Sequence, residues 1–90
     1  YEKFFTDINY AFVKELSESK SNYWLNTVLL KNIQQRDEFL EATNNNGVMT
    51  RPVWTLMNRL PMFQDAQCGN LKNSNWLNDR VVNIPSSVIL

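Results

Sequence analysis

The run Tyr23-Trp24-Leu25-Asn26-Thr27-Val28-Leu29-Leu30 limits the fold more than any other part of this chain. In an extended segment, alternation puts Trp24, Val28 and Leu30 on one face and Tyr23, Leu25 and Leu29 on the other. Both faces are apolar, so the strand is expected to be covered from both sides. A polar turn, Ser17 to Asn22, leads into it.

A helix signal follows directly. Asn32 with Gln35 three positions on has the layout of a capping box, and Ile33, Phe39, Leu40 and Thr43 then fall along one side. Asn44, Asn45, Asn46 and Gly47 end the helix, because Gly, and Asn next best, tolerates the left-handed backbone that closes one. Val48 to Trp54 reads as a returning strand, and Tyr10 to Leu16 as a short one. Phe4 and Phe5, ahead of that first strand, are expected to dock on neighbouring structure.

From Thr55 to Asn70 no period is sustained. Pro61 and Gly69 break the backbone, yet Leu56, Met57, Leu60, Met62 and Phe63 are too apolar for a solvated loop, which implies a packed, irregular segment. Asn73 or Ser74 is placed to cap a short last helix reaching Asp79 or Arg80, with Trp76 and Leu77 facing inward. Val81 to Ile84 is a final extended piece stopped by Pro85. The expected class is α+β: a small, mostly antiparallel sheet built from Tyr10–Leu16, Tyr23–Leu30 and Val48–Val53, with helices packed on it. The Asn32–Asn46 helix lies on one face and buries Phe39, Leu40, Val28 and Leu30 together.

Ninety residues make one small domain, and 43% hydrophobic with 20% charged residues is too apolar for intrinsic disorder. Nine basic and nine acidic side chains cancel, so no overall positive field attracts nucleic acid or an anionic membrane. No apolar run approaches the roughly 20 residues that span a bilayer, and the N-terminus lacks a signal-peptide layout. The lone Cys68 has no partner for an internal disulfide, and a cytoplasmic setting fits best. Without His, the chain holds no Ser-His-Asp or Cys-His nucleophile system, and a zinc site would rest on carboxylates alone. The chain also begins without Met, inside what reads as ongoing sequence, which suggests a piece of something longer.

The candidate chemistry centres on Asn46-Gly47-Val48-Met49-Thr50-Arg51-Pro52-Val53-Trp54. Pro52 holds Arg51 extended, and a guanidinium so placed is suited to two parallel hydrogen bonds to a phosphate or carboxylate. The plain alternative is a surface salt bridge to one of the acids. Trp54 either stacks on a sugar or base ring or anchors the core.

Taken with Leu56-Met57-Asn58-Arg59-Leu60-Pro61-Met62-Phe63, Ser21-Asn22-Tyr23-Trp24-Leu25 and Arg80-Val81-Val82-Asn83-Ile84-Pro85-Ser86-Ser87, this element resembles the C-terminal part of the DegT family of pyridoxal-phosphate-dependent nucleotide-sugar aminotransferases. Within the family it is most similar to the enzymes of legionaminic-acid and related amino-sugar pathways. The resemblance runs from about Asn9 to Leu90. It implies the C-terminal small domain of a fold-type-I aminotransferase, with residues 1–90 as one domain of a longer enzyme. It implies further that the enzyme moves an amino group from an amino acid, by analogy glutamate, to a keto-sugar carried on a nucleotide diphosphate.

On this resemblance Arg51, Trp54 and Asn58 are the substrate-binding candidates. Asn58 stands where many relatives carry His, and its amide hydrogen-bonds a hydroxyl or phosphate but carries no proton at neutral pH. The Schiff-base lysine belongs to the large domain upstream, and none of Lys3, Lys14, Lys20, Lys31 or Lys72 sits in a matching motif. No pyridoxal phosphate is therefore expected on this piece, which alone should not transaminate. Its implied partners are its own large domain, a second subunit of a homodimer, and the nucleotide-sugar. The competing expectation is a free-standing sugar- or protein-binding module without catalysis, a soluble monomer with no apolar scar.

Overall fold

A computed structural model describes residues 1–87; residues 88–90, which end the expected 1–90 domain, lie outside the described residues. Its centre is a pair of strands that each carry β-branched or Leu side chains on the inner face. Strand β2 (Asn26–Leu29) pairs antiparallel with β4 (Val81–Ile84), with Val28 opposite Val82. Both side chains have no exposed area. Strand β1 (Ala11–Phe12) joins the outer side of β2, and β3 (Arg51–Pro52) joins the outer side of β4. The result is an antiparallel four-stranded sheet of order β1-β2-β4-β3.

Helix α1 (Glu2–Asp7) and helix α2 (Ile33–Asn45) contribute to the same inner face. Phe5 joins Val28, Leu30, Val82 and Ile84 in the buried core, and Phe39 and Leu40 of α2 pack against it together with Tyr10 and Phe12. A short helix α3 (Lys72–Asn78) precedes β4. The Arg36 guanidinium donates to the Asn78 carbonyl at 2.7 Å, tying the end of α3 to α2. The α+β class expected from the sequence is the class observed, with Phe39, Leu40, Val28 and Leu30 grouped as anticipated.

The caps of α2 also follow the sequence. Asn32 Oδ1 accepts from the Gln35 backbone N–H at 2.8 Å, and Gln35 Oε1 accepts from the Lys31 N–H at 2.7 Å, one residue upstream of the usual reciprocal bond. Gly47, at φ +80°, follows the C-cap Asn46 in the left-handed region that glycine supplies without strain.

Several expectations need correction. The central strand begins at Asn26 instead of Tyr23, because Tyr23 sits at φ +49° and cannot continue a ladder. Its hydroxyl instead accepts from the Glu15 N–H at 2.9 Å, and Asn22 Oδ1 accepts from the Trp24 N–H at 3.1 Å. These bonds close a turn that leaves Trp24 69% exposed, and along the strand only the Val28 and Leu30 face is buried, while Leu25 is exposed and Thr27 and Leu29 are half-buried on the other. The strand at Tyr10–Leu16 shrinks to two residues once the chain turns away toward that loop. The returning strand is likewise confined to Arg51–Pro52, where Pro52 has no N–H to extend the ladder and sits on an edge.

The final extended piece, Val81 to Ile84, is not among the three segments of the expected sheet, yet it is the second central strand, lying between β2 and β3. The N-terminal stretch is helical, and of its two Phe only Phe5 docks; Phe4 is exposed. Thr55–Asn70 is irregular, with two 3-10 turns at Met57–Arg59 and Pro61–Phe63, but most of its side chains face solvent. The last helix has no side-chain cap from Asn73 or Ser74, its N-cap being Leu71; Trp76 and Leu77 are exposed, as is Ile33 on α2.

Burial decides which apolar side chains hold this fold. Leu30→Ala is expected to lower stability by about 2–5 kcal/mol through lost transfer energy and the cavity left behind. Leu16→Ala, at a site 79% exposed, should change it by less than about 0.5 kcal/mol. Urea unfolding followed by circular dichroism separates the two.

Candidate functional site

The end of the sheet where β4 leaves and β2 enters opens into a groove of about 620 Å³. Arg51, Pro52 and Trp54 from β3 and its continuation line it together with Asn83 from β4 and Pro85 just beyond that strand. Arg51 and Asn83 are cross-strand partners in the β3–β4 ladder, so alternation puts both side chains on the same face of the sheet, away from the core.

A polar cluster at the end of α2 fixes Arg51. Thr50 is buried, 1% exposed, and its hydroxyl lies 2.6 Å from that of Thr43. Thr43 Oγ1 donates back to the Phe39 carbonyl at 2.7 Å, which leaves Thr50 to donate to Thr43. Asn44 Nδ2 donates to the Thr50 hydroxyl at 3.0 Å and to the Leu40 carbonyl at 2.7 Å. With its amide so oriented, Asn44 turns Oδ1 toward Arg51 Nη1, which donates to it at 3.0 Å and to the Thr50 carbonyl at 2.9 Å.

Every partner of Arg51 is neutral. Among the described residues the ion pairs are Lys14–Glu2 and Arg36–Asp37, so the surface salt bridge considered for Arg51 does not form there. Its Nε and Nη2 make no hydrogen bond to the described residues. The guanidinium is therefore held at one corner, with its charge uncompensated and its remaining donors open, at the edge of a groove. Trp54 is 74% exposed, which removes the core-anchor alternative for this chain and leaves a broad aromatic surface on the same groove.

The structure brings together Arg51 and Trp54 but not Asn58. Asn58 lies half-buried in the first 3-10 turn and borders a second, smaller recess of about 190 Å³ with Met57, Phe63 and Cys68. Sequence reasoning missed Asn83 and Asn44. A lone amide interrupting the Val81-Val82-Asn83-Ile84 strand was the available signal for the first. Asn44 was hidden in a run that reads simply as a helix stop.

The family model of the DegT/DnrJ/EryC1/StrS aminotransferases matches residues 1–90. The chain belongs to that family. No solved structure matches it significantly. DegT-family enzymes are in general pyridoxal-phosphate-dependent. A Schiff-base lysine needs a desolvated pocket that lowers its pKa. Lys3, Lys14, Lys20, Lys31 and Lys72 are all exposed, and none borders the groove. The side chains of these five lysines do not fit the role of cofactor carrier.

Because Thr50 joins α2 to β3 through two hydroxyl contacts, Thr50→Val is expected to cost about 1–3 kcal/mol, although the side-chain volume barely changes. A thermal melt read by circular dichroism checks this, with Thr6→Val, on the exposed side of α1, as a control that should barely move.

Proposed function

We propose that this chain is the C-terminal small domain of a pyridoxal-phosphate-dependent enzyme that transfers an amino group from an amino acid, glutamate by family analogy, to a nucleotide-linked keto-sugar. The pathway class favoured by the sequence motifs is legionaminic-acid or related amino-sugar synthesis for surface polysaccharide, in the cytoplasm. In this reading the large domain supplies the Schiff-base lysine and the chemistry, and a second subunit completes the site. The present domain helps close the substrate cleft.

The observation that carries the reading is Arg51, anchored by neutral groups and with donors to spare, beside the open face of Trp54. A nucleotide-sugar offers both complements: anionic phosphate oxygens for a guanidinium fork, and a flat or ring-shaped body for an indole. Asn58, in its separate recess, remains a candidate for a sugar hydroxyl on family resemblance alone. The free-standing module is favoured less, because it calls for a surface without an apolar scar, whereas Trp24, Leu16, Met62 and Trp76 are all exposed.

In the intact enzyme, Arg51→Lys keeps the charge but loses the fork. It is expected to lower kcat/KM for the nucleotide-sugar by roughly 10- to 100-fold, in line with a charge-assisted hydrogen bond of about 1.5–3 kcal/mol. The KM for the amino donor should stay where it is. Trp54→Ala should cost the same substrate about 0.5–1.5 kcal/mol for the lost stacking. Steady-state kinetics with each substrate varied in turn measures both, and an Arg51→Lys enzyme with unchanged nucleotide-sugar kinetics would remove Arg51 from the site.

A further inference from the structure

Asn83 stands on β4 directly across from Arg51 and borders the same groove. Its amide is not free to turn. Thr27 Oγ1, on the neighbouring strand β2, donates to Asn83 Oδ1 at 2.8 Å, and Thr27 and Asn83 are themselves register partners. That bond occupies the carbonyl oxygen and leaves Nδ2 as the outward group. Among the described residues Nδ2 meets no acceptor, and no buried side-chain nitrogen or oxygen lacks a partner, so Nδ2 is open to solvent. A half-buried amide in the middle of a sheet, oriented by a neighbour and with its donor end unused, is a built feature for receiving an acceptor.

We propose that Asn83 is a substrate-binding residue of the groove, its Nδ2 donating to an anionic phosphate oxygen of the ligand that Arg51 also holds. This rests on the reading of the groove as a nucleotide-sugar site. Two donors at paired positions of adjacent strands, both bordering one groove, grip one phosphate more selectively than a lone flexible cation does, because the amide has a fixed direction. Thr27 acts as the positioning residue behind it.

The test replaces the outward donor and leaves the inward bond in place. Asn83→Asp keeps an oxygen for Thr27 Oγ1 and nearly the same shape, but turns a carboxylate oxygen toward the phosphate. Because that carboxylate also stands across from Arg51, the neutral Asn83→Ser is measured beside it, and a diphosphate loss seen with Asn83→Asp but not with Asn83→Ser overturns the role of Asn83 as a donor. In the intact enzyme, affinities for UDP, GDP, CDP and dTDP, and for the corresponding uncharged nucleosides, are measured by calorimetry for wild type, Arg51→Gln and Asn83→Asp. Arg51→Gln and Asn83→Asp should each weaken the preferred nucleoside diphosphate by roughly tenfold or more. The nucleoside should be affected little, a difference that a merely loosened fold would not produce. If Arg51→Gln weakens the diphosphate and Asn83→Asp does not, or if Asn83→Asp weakens nucleoside and diphosphate alike, the assignment of Asn83 fails and the groove stands. If neither substitution weakens binding, or no diphosphate binds, the groove reading falls and Asn83 with it. Should Asn83→Asp not fold, Asn83→Ser, which retains a short hydroxyl for Thr27 and removes the outward donor, is judged by the same outcomes.

Discussion

The pairing of β2 with β4 is the contact on which the remainder of this structure rests. Val28 and Val82 face each other at its centre, fully buried, and Leu30 and Ile84 extend the same inner surface at either end. The strands come from opposite halves of the chain, so their pairing closes a long loop at an entropic cost that local helix formation does not incur. Once it forms, the inner face fixes where α1 and α2 lie, and β4 offers its free edge to β3. That edge is what brings Arg51 beside Asn83. The groove is a by-product of topology: inserting β4 between β2 and β3 puts residues from distant parts of the chain side by side along its lining.

The link between core and groove is the short polar bridge at the end of α2. Thr50 points inward and is almost completely buried, while its chain neighbour Arg51 points outward, the usual consequence of strand alternation. Asn44 spans the two, donating to Thr50 and accepting from Arg51. A Gln at Asn44 would reach too far and an Asp would form an ion pair with the guanidinium. The amide alone orients the cation without neutralising it, which keeps the charge available for a ligand.

Much of this was readable from local signals, and the failures share one cause. Asn32, Gln35 and Gly47 marked the ends of α2 because capping is a chemistry of near neighbours. Phe39, Leu40, Val28 and Leu30 were grouped correctly because helical and strand periods report which face is apolar. The sequence of Val81 to Ile84 signals an extended strand equally well, but a pattern of β-branched residues does not say which strands flank it. The same limit hid Asn83 from the reading of the site, since its place beside Arg51 is set by register between segments remote in sequence. Tyr23 was misread because an aromatic residue ahead of a strand normally extends it, whereas here the hydroxyl is spent on closing the preceding turn. Trp76 and Leu77 were expected inside because they are apolar at helical spacing; period identifies a face that prefers cover but not whether this chain supplies it.

The apolar surface left open is of two kinds, and the difference bears on how the domain works. Leu16, Trp24 and Met62 are exposed and border neither the Arg51–Trp54 groove nor the Asn58 recess. Covering each would gain about 1.5–3 kcal/mol, a driving force suited to protein contact. Trp54 is exposed to a similar degree, yet it shares its groove with an unpaired guanidinium and an oriented amide donor. Burying that patch against another protein would desolvate Arg51 without necessarily supplying an acid for it, a cost that would erase much of the gain. A ligand carrying its own negative charge meets no such penalty. On the proposed reading the bare flanks are therefore where the rest of the enzyme docks, and the Arg51–Trp54 groove is the part of the surface that has to stay open until substrate arrives.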